Sequence, residues 1–502
     1  MNKLVQTDWS SKWAEYFPKK IAIREHESGA TITYDELNTL GNRLAIYLHK
    51  EHNITKGDRI AILADFCIPH VALFTAAQKT GIILVPLNYR LTPAEIKYLL
   101  DKTQPKLVIE NKKYQEKLAQ TDFCQERQVP AWSTEALHEF AASTQYLEES
   151  KSFSAATIYE DDPVFILFTS GTTGFPKGAL YTHKMLLWNS INTAMSLIIN
   201  SSSKTINCMP PFHTGGWNVL LTPFLHHGGY SCLMRKFDAG VIIDLLEKEK
   251  ATLFMGVPTM LKMMAEHEKF EVADFSSLLY IIVGGESMPI PLIEKWATKG
   301  VAIRQGYGMT EVGPNLTSLH QDDAIRKKGS IGKPNFYVHT QIIDEYGEEV
   351  ANNVAGELLF KGPMVTPGYW QNEEATQKAF YKGWFRTGDR VLRDEEGYLY
   401  IVDRIKNMFI SGGENVYPAE VERILLTHPN ISEAIVIGVP DEKWGESGKA
   451  FLVSTQPIDK DEVIVFAKKY LAKFKVPKHI QFMEQLPKND TGKINRKALK
   501  EM

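Results

Sequence analysis

Apolar runs and helical spacing alternate along the first part of the chain. Residues 59–63 and 82–86 are short apolar runs typical of buried strands, and residues 68–80 between them are long enough for a helix. Two such strands joined through a helix make a β-α-β unit, so a parallel sheet with helices on its faces is predicted. Residues 107–109 predict a further strand.

The first long helix is predicted from its start signal. Thr33 is a suitable N-cap, and Glu36 stands three residues later, as in a capping box. Leucines then recur at helical spacing, at Leu37, Leu40, Leu44 and Leu48. We therefore predict a helix that begins directly after Thr33.

A polar, weakly patterned region separates two stretches of β/α alternation. Residues 111–160 are polar and poorly patterned, and residues 148–152 resemble a loop. The alternation resumes with apolar runs at 163–167, 251–255 and 280–283, each typical of a buried strand.

The pattern changes again beyond residue 330. Short strands such as 340–343 and 356–360 alternate with Gly and Asp turns, which favours a small antiparallel sheet or barrel. A domain boundary is placed between residues 405 and 406, and an α+β segment follows it. The predicted fold class is α/β: a large domain 1–405 with two α/β subdomains and a small distorted β-barrel, then a small mobile α+β domain 406–502.

A glycine- and hydroxyl-rich stretch follows the strand predicted at 163–167. Glycines let backbone N–H groups approach an anion, hydroxyls donate to phosphate oxygens, and Lys177 adds a positive charge. A Walker A loop is excluded, because Lys177 precedes Gly178 and Ala179 occupies the place of the magnesium-binding hydroxyl. A polyphosphate loop is predicted, with a plain surface turn as the alternative. The stretch runs Phe168-Thr169-Ser170-Gly171-Thr172-Thr173-Gly174-Phe175-Pro176-Lys177-Gly178.

Four other stretches combine residue types that suit a nucleotide site. His213 stands beside two glycines and Trp217, and residues 306–311 join a tyrosine, a hydroxyl and the carboxylate of Glu311. An aromatic ring can stack on a base, and a carboxylate can bind Mg²⁺. Asp389 ends the stretch 384–389, which begins with two aromatic residues and predicts a turn, and its carboxylate could accept from ribose hydroxyls. Lys493 lies in a polar stretch that also predicts a turn. Taken alone, each also fits an interpretation without function: His213 as a structural histidine, Asp389 as part of an Asx turn, and Lys493 as a surface lysine.

Composition and net charge limit the classes of partner that the protein is expected to bind. With 44% hydrophobic and 23% charged residues the chain is ordinary globular protein, and its net charge of −3 argues against nucleic-acid binding. Its four cysteines are scattered, and no apolar run has the length of a spanning helix or a signal peptide. We expect a cytoplasmic monomer or homodimer.

Together these stretches resemble the adenylate-forming superfamily of acyl-CoA synthetases, peptide-synthetase adenylation domains and firefly luciferase. The resemblance runs from near Trp9 to the end of the chain and is nearest to bacterial fatty-acyl-CoA ligases. It implies that ATP and a carboxylic acid give an acyl-adenylate and pyrophosphate, after which the thiol of coenzyme A attacks the acyl carbon. ATP, Mg²⁺ and coenzyme A are the implied cofactors.

The family's residue roles carry over onto matching positions. The resemblance implies that Lys493 bridges the carboxylate and the α-phosphate, Glu311 binds Mg²⁺, His213 sits at the carboxylate, and Lys406 is the hinge of the mobile domain. Gly215, Gly216, Trp217 and residues 309–314 would border the acyl pocket. The implied ligands of ATP and coenzyme A are Thr169, Ser170, Gly171, Thr172, Thr173, Gly174, Lys177, Gly285, Glu286, Gly306, Tyr307, Gly308, Thr310, Asp389, Arg404, Gly412, Gly413 and Trp444.

The substrate class remains open between several readings. Phe212-His213 lacks the aspartate with which amino-acid-activating domains pair an α-ammonium group, so an α-amino acid is not expected. A medium- or long-chain fatty acid is favoured over an aryl acid such as benzoate, coumarate or succinylbenzoate. Because the chain ends shortly after Lys493, coenzyme A is expected as the acceptor, with a separate carrier protein as the alternative.

Two further alternatives concern partners. A non-catalytic nucleotide-binding protein would be expected to have lost at least one of Lys493, Glu311 and Asp389, yet all three are present. A group of lysines near the end could meet coenzyme A phosphates, an anionic membrane surface as a peripheral contact, or solvent. These are Lys468, Lys469, Lys473, Lys475 and Lys478.

Overall fold

The computed structural model describes residues 6–169, 176–285, 288–411, 414–442, 444–471, 473–488 and 494–502, without the side chains of Lys406, Glu414 and Asn415. Its strands are β1 Ile21–Glu25, β2 Thr31–Thr33, β3 Arg59–Leu63, β4 Ile83–Pro86, β5 Leu107–Glu110, β6 Ala131–Ser133, β7 Pro163–Thr169, β8 Lys177–Thr182, β9 Lys204–Asn207, β10 Tyr230–Leu233, β11 Leu253–Gly256, β12 Tyr280–Val283, β13 Ile303–Tyr307, β14 Thr317–Ser318, β15 Lys333–Pro334, β16 His339–Ile343, β17 Gly356–Lys361, β18 Phe380–Tyr381, β19 Trp384–Arg393, β20 Leu399–Arg404, β21 Phe409–Ser411, β22 Glu414–Val416, β23 Ile431–Asp441, β24 Gly445–Ser454 and β25 His479–Phe482.

The α-helices lie between these strands and cover the sheet faces. They are α1 Trp9–Tyr16, α2 Tyr34–His52, α3 Ile68–Thr80, α4 Pro93–Thr103, α5 Gln115–Ala119, α6 Phe123–Arg127, α7 Thr134–Ala142, α8 Leu147–Ser150, α9 His183–Leu197, α10 Leu221–His226, α11 Ala239–Lys248, α12 Pro258–Ala265, α13 Ile290–Ala297, α14 Glu373–Ala379, α15 Pro418–Leu425, α16 Lys460–Lys468 and α17 Arg496–Lys500.

Two large sheets form the α/β part of the chain. The first has six strands in the order β6-β5-β3-β4-β7-β8 and is parallel except for the β7–β8 hairpin. The second has nine strands in the order β15-β14-β13-β12-β11-β9-β10-β1-β2, and its central run from β13 to β1 is parallel. The two predicted α/β subdomains and the strands predicted at 59–63, 82–86, 107–109 and 163–167 are therefore confirmed.

The predicted start of the second helix is also confirmed. Thr33 is the N-cap of α2, its hydroxyl accepts from the Glu36 N–H, and the Glu36 carboxylate accepts from the Thr33 N–H at 2.8 Å. Leu37, Leu44 and Leu48 are buried on the face that the spacing predicted. A local signal sufficed because both partners of the cap lie within four residues.

The poorly patterned region 111–160 does contain regular elements, and the loop predicted at residues 148–152 overlaps the short helix α8, Leu147–Ser150. This region contains β6 and the short helices α5 to α8, and Leu137 and Phe140 of α7 enter the main core. Arg43 of α2 is buried and donates to the carbonyls of Phe140 and Gln145, each at 2.7 Å. These helices are stabilised by distant partners, so their own residues show little periodicity.

The chain divides into two compact units. The first comprises residues 1–339 with 360–385, and the second comprises residues 340–359 with 386–502. Beyond residue 330, β16 to β20 form a five-stranded sheet, as the short-strand pattern predicted. The last sheet, ordered β22-β21-β24-β23 with β25 on β24, packs on α15 and α16 around Val421, Val436 and Leu452. The boundary at 405/406 stays a prediction.

Within the described ranges, no helix has the length and apolar character needed to cross a membrane.

Two buried histidines make stability depend on pH. Burial lowers the pKa of His70 and of His183 to about 4. An unfolded histidine titrates near 6.5, so between these values the unfolded state binds more protons and stability falls as the pH falls. We expect the free energy of unfolding to drop from pH 6.5 to about 4, by up to about 1.4 kcal/mol per pH unit for each histidine.

Denaturant midpoints of the wild type and His183→Gln at pH 7, 6 and 5 test this dependence. Gln cannot bind a proton, so the variant should lose about half of the slope that the pair contributes. His49→Gln, at an exposed position of α2, is the matched control and should keep the wild-type slope. Parallel pH profiles for the wild type and His183→Gln would contradict the assignment.

Candidate active site

Four loops meet at one edge of the nine-stranded sheet. Strands β13, β12, β11 and β9 are adjacent and parallel, so their carboxyl ends lie at the same edge. The loops that follow them begin at Cys208, Val257, Gly284 and Gly308. Crevices outside the carboxyl ends of parallel strands are the usual ligand sites of α/β sheets. The topology thus brings together His213, Gly285 and Glu311, which are far apart in sequence.

His213 lies in the turn after β9. Its backbone N–H donates to the Pro210 carbonyl at 3.3 Å, and its ring centroid is 4.5 Å from that of Phe212. A π-helical turn, Gly215–Val219, follows it. Such turns are frequent at functional sites.

Trp217 is a core residue, and its place at the border of the acyl pocket stays a prediction. It is fully buried against Phe66, Phe74 and Phe165, and its indole N–H donates to the Pro211 carbonyl at 2.8 Å. Gly216 is required by backbone packing, because a Cβ there would lie 2.3 Å from the Pro210 carbonyl oxygen. Glycines beside an indole therefore reflect tight packing at this turn.

The loop after β13 is shaped by its glycines. A Cβ at Gly308 would lie 2.2 Å from the Pro314 carbonyl oxygen, and Gly313 has φ +71°. This folding back forms the short 3₁₀ turn Thr310–Val312, which carries Glu311. Gly306, next to the end of β13, pairs with Ser318 of β14, and Gly285 follows β12 with φ +88°. Glu286 lies outside the described residues.

A hydrogen bond to Glu311, in the loop after β13, links the nine-stranded sheet to β7 of the six-stranded sheet. The Glu311 Oε1 accepts from the Thr169 hydroxyl at 3.1 Å and from the Tyr369 hydroxyl at 3.0 Å. The Glu311 side chain is mostly buried, and its carbonyl accepts from the Thr366 N–H at 2.7 Å. Thr169 is the last residue of β7, so the carboxylate is tied to the entry of the predicted phosphate loop.

Tyr369 is the residue that sequence reasoning missed. Burial and the neighbouring Glu311 carboxylate raise its pKa, so at neutral pH its hydroxyl keeps a proton to donate. Its ring centroid lies 5.3 Å from the Lys177 Nζ. The sequence signal that could have drawn attention to Tyr369 is the segment Gly368-Tyr369-Trp370, in which a glycine precedes two aromatic residues. Gly368 has φ +146°. Tyr369 acts 58 positions from Glu311, a pairing that no local pattern reveals.

Lys177 opens β8 and stands opposite Thr169 in the hairpin. The structure therefore holds the two ends of the predicted phosphate loop side by side. Residues between them, including Ser170, Gly171, Thr172, Thr173 and Gly174, lie outside the described residues.

Tyr307 ends β13 at the same sheet edge. Its side chain is buried, and its ring lies 6.0 Å from that of Phe360 with an interplanar angle of 22°. Phe360 thus supports the ring from one side, as an aromatic platform for a base requires.

The residues around Glu311 fit a magnesium ion. Mg²⁺ takes oxygen ligands and usually retains water and substrate phosphate. Both hydroxyl donors use Oε1 of Glu311, and among the described residues Oε2 receives no hydrogen bond. Within the part of the chain that the structure describes, a second cluster, Glu25 with Cys67 and His138, has ligand atoms within 4.8 Å of one another.

That second cluster is not suited to a cation. The Glu25 carboxylate already accepts from the Ile68 N–H at 2.6 Å and from the Ser28 hydroxyl at 2.8 Å. Burial raises the pKa of the Cys67 thiol to about 12, so the thiolate form that metals bind is disfavoured.

In the second unit, the two predicted ribose residues form an ion pair. Asp389 and Arg404 stand opposite each other on β19 and β20, and Arg404 Nε lies 2.8 Å from Asp389 Oδ1. Asp389 is buried and the Arg404 side chain is half-exposed. Glu357 fixes this part of β19, since its carboxylate accepts from the Gly388 N–H at 3.2 Å and pairs with Arg386.

Trp444 lies in the turn between β23 and β24. The Lys478 Nζ is 4.8 Å from its ring and binds Asp441 Oδ2 at 2.6 Å. Lys475 pairs with Glu420 at 2.7 Å, so two of the five lysines near the end already have carboxylate partners. Lys406 lies in a 3₁₀ turn, Ile405–Asn407, and Gly412, Gly413 and Lys493 lie outside the described residues.

Comparison with known proteins gives a family match over most of the chain. The profile of the AMP-binding enzyme family matches residues 10–370, and that of the AMP-binding enzyme C-terminal domain matches residues 420–493.

Relatives of nearly the same length take different acids. The chain is 36% identical to a feruloyl-CoA synthase from Amycolatopsis, over 97% of this chain and 96% of that protein. It is 34% identical to the long-chain-fatty-acid–CoA ligase FadD13 of Mycobacterium tuberculosis, over 96% and 95%. A solved structure of the o-succinylbenzoate–coenzyme A synthetase MenE from Bacillus subtilis, in complex with ATP and magnesium ion, matches with a TM-score of 0.85 and 30% identity, over 98% and 99%.

Proposed function

Because the chain belongs to the AMP-binding enzyme family and is an AMP-forming acid–CoA ligase, we propose that its substrate is a medium- or long-chain fatty acid. The acid and ATP would give an acyl-adenylate and pyrophosphate, and coenzyme A would then give the thioester. One observation carries the proposal: Glu311, at the edge of the nine-stranded sheet, accepts a hydrogen bond from the Thr169 hydroxyl at the entry of the predicted phosphate loop.

In the first half-reaction, two anions must meet. A carboxylate is already ionised, so no general base is needed, but its approach to ATP requires positive charge in a site of low dielectric. We assign that charge to Lys177 at the departing phosphates and Lys493 at the carboxylate and α-phosphate. Magnesium held at Glu311 would neutralise phosphate charge. Tyr307 would stack on adenine.

The remaining nucleotide contacts of the proposal lie around the ribose and the loop after β12. Asp389 is oriented by its ion pair with Arg404, so a carboxylate of fixed direction is available to accept from ribose hydroxyls. Gly306, Gly308 and Thr310 flank Tyr307 along the chain, and Gly285 follows β12, the strand next to β13.

The second half-reaction needs a different set of groups at the same carbon. We propose that the domain beyond residue 405 rotates about Lys406, which removes Lys493 and brings up Gly412 and Gly413. Trp444 would line the path of the thiol. The roles of these residues rest on the family resemblance.

Proline at Lys406 is expected to separate the half-reactions from overall turnover. Proline restricts φ, so Lys406→Pro should favour one domain arrangement and lose most of the turnover while retaining at least one half-reaction. Pyrophosphate exchange, thioester formation from supplied acyl-adenylate and the overall rate are compared, with Lys406→Ala as the control, because it removes the same side chain without restricting φ. Normal overall turnover would place the hinge elsewhere.

Apolar side chains support an apolar acid. Met209, Val257 and Met309 lie in the loops at the sheet edge and Met260 lies at the start of α12, and all four are half-buried. The stretch from residue 208 to 217 contains no carboxylate, so nothing there pairs with a substrate cation. Methionine adapts readily to flexible chains.

An aryl acid is the second candidate, and the 36% identity to a feruloyl-CoA synthase favours it. Half-buried methionines pack against rings as well as against alkyl chains. His213, whose ring already lies against Phe212, would serve either substrate at the carboxylate.

Pyrophosphate release across a panel of acids, with and without coenzyme A, tests the proposal. The panel contains octanoate, palmitate, benzoate, ferulate, o-succinylbenzoate and an α-amino acid. The highest kcat/KM is expected for a fatty acid. A higher kcat/KM for ferulate or o-succinylbenzoate would favour the aryl acid. If the thioester formed only on a carrier protein, the acceptor would be that protein and not coenzyme A.

A further inference from the structure

We propose that Tyr369 is a positioning residue, which holds the Glu311 carboxylate in its cation-binding orientation and joins it to Lys177. This inference rests on the proposed use of magnesium-bound ATP at Glu311. Tyr369 itself makes no contact assigned to substrate, so its effect must pass through the two charged side chains that it touches.

The backbone of Tyr369 is held on both sides. It pairs with Ala179 of β8, the Trp370 N–H donates to the Gly178 carbonyl at 2.7 Å, and the Tyr369 N–H donates to the Thr376 hydroxyl at 2.9 Å. Segment 366–370 therefore lies against the strand that leaves the phosphate loop. The phenol is aimed from this fixed backbone.

The hydroxyl of Tyr369 selects which carboxylate oxygen remains for a cation. Together with Thr169, it donates to Oε1 of Glu311, and the Thr366 N–H holds the Glu311 backbone. A carboxylate with one oxygen saturated by two donors has a defined rotation, and its other oxygen is the remaining ligand atom. Outer groups of this kind typically contribute 10–100-fold to metal affinity or activity.

The ring of Tyr369 has a second role. With Lys177 Nζ 5.3 Å from the ring centroid, a cation–π contact restrains the lysine at the exit of the phosphate loop. The Tyr369 side chain thus contacts both Glu311, which we assign to magnesium, and Lys177, which we assign to the phosphates. This arrangement favours a fixed spacing between the two charged groups.

The test separates positioning from a purely structural bond by replacing tyrosine with phenylalanine. Tyr369→Phe removes the hydroxyl and keeps the ring. Tyr230→Phe is the matched control, because the Tyr230 hydroxyl donates to a carboxylate, Glu249, at 2.8 Å, at the opposite end of the parallel strands. Thr169→Val removes the other donor to Glu311 Oε1.

Mn²⁺ binding is measured by electron paramagnetic resonance with the non-hydrolysable analogue α,β-methylene-ATP, and the Mg²⁺ dependence of acid-dependent pyrophosphate exchange is measured in parallel. For Tyr369→Phe we expect the Mn²⁺ dissociation constant and the half-saturating Mg²⁺ concentration to rise about tenfold. The exchange rate at saturating Mg²⁺ should recover substantially. Thr169→Val should shift in the same direction, and Tyr230→Phe should match the wild type.

Unchanged Mn²⁺ affinity in both Tyr369→Phe and Thr169→Val would overturn the proposal, even if the melting temperature fell. An equal weakening in Tyr230→Phe would also overturn it, since the effect would then be general. The proposed function fails separately: a wild-type protein that binds Mn²⁺ with the analogue but catalyses no exchange with any acid refutes the reaction, while the Tyr369 comparison still stands.

Discussion

Replacing Lys493 with alanine is expected to slow acyl-adenylate formation by about 10²–10³-fold, while thioester formation from a supplied acyl-adenylate stays near the wild-type rate. The reason is electrostatic. The first step brings a carboxylate onto a phosphate, and the negative charge that develops there needs a fixed cation. The second step consumes an adenylate whose activation is already complete, so the lysine has no comparable role in it.

The measurement is a pair of half-reaction assays on the same protein. Pyrophosphate exchange reports the first step, and loss of synthetic acyl-adenylate in the presence of coenzyme A reports the second. Lys488→Ala is the matched control: it removes a lysine five positions earlier in the chain, whose Nζ lies 3.7 Å from Glu433. Equal losses in both half-reactions of Lys493→Ala would refute the two-state assignment.

The second large effect is expected at Glu311. Glu311→Gln keeps the shape and a carbonyl oxygen that can accept from Thr169 and Tyr369, but it removes the negative charge. If the carboxylate binds magnesium, adenylation should fall by about 10²–10³-fold with little change in stability. A larger loss than in Tyr369→Phe is expected, because the glutamine removes the ligand itself and not its support.

The control for Glu311→Gln is Glu249→Gln. Like Glu311, Glu249 accepts from a tyrosine hydroxyl, that of Tyr230, and it also accepts from Arg24. Thermal unfolding of both variants and pyrophosphate exchange over a range of Mg²⁺ concentrations distinguish charge from fold. If Glu311→Gln retained wild-type exchange at low Mg²⁺, its assignment as the metal ligand would be wrong.

Local signals were sufficient wherever the interacting groups are close in sequence. The Thr33–Glu36 capping box predicted the start of α2, and apolar runs predicted β3, β4, β5 and β7. By contrast, helices α5 to α8 were missed, because their stabilising partners, such as Arg43, come from distant elements. The core packing of Trp217 was not predicted for the same reason: its aromatic neighbours are up to 151 positions away, counted from Phe66 to Trp217.

By itself, the sequence determined the fold class, the family and the identity of the groups that carry the proposed chemistry, because residue types and short spacings encode turns, strands and charge. The tertiary structure decided which of those groups meet. Sheet order placed the loops after β9, β12 and β13 at one edge, and the 360–385 segment brought Tyr369 to Glu311 and Lys177. Such meetings depend on the path of the chain through space, which spacing along the chain does not record.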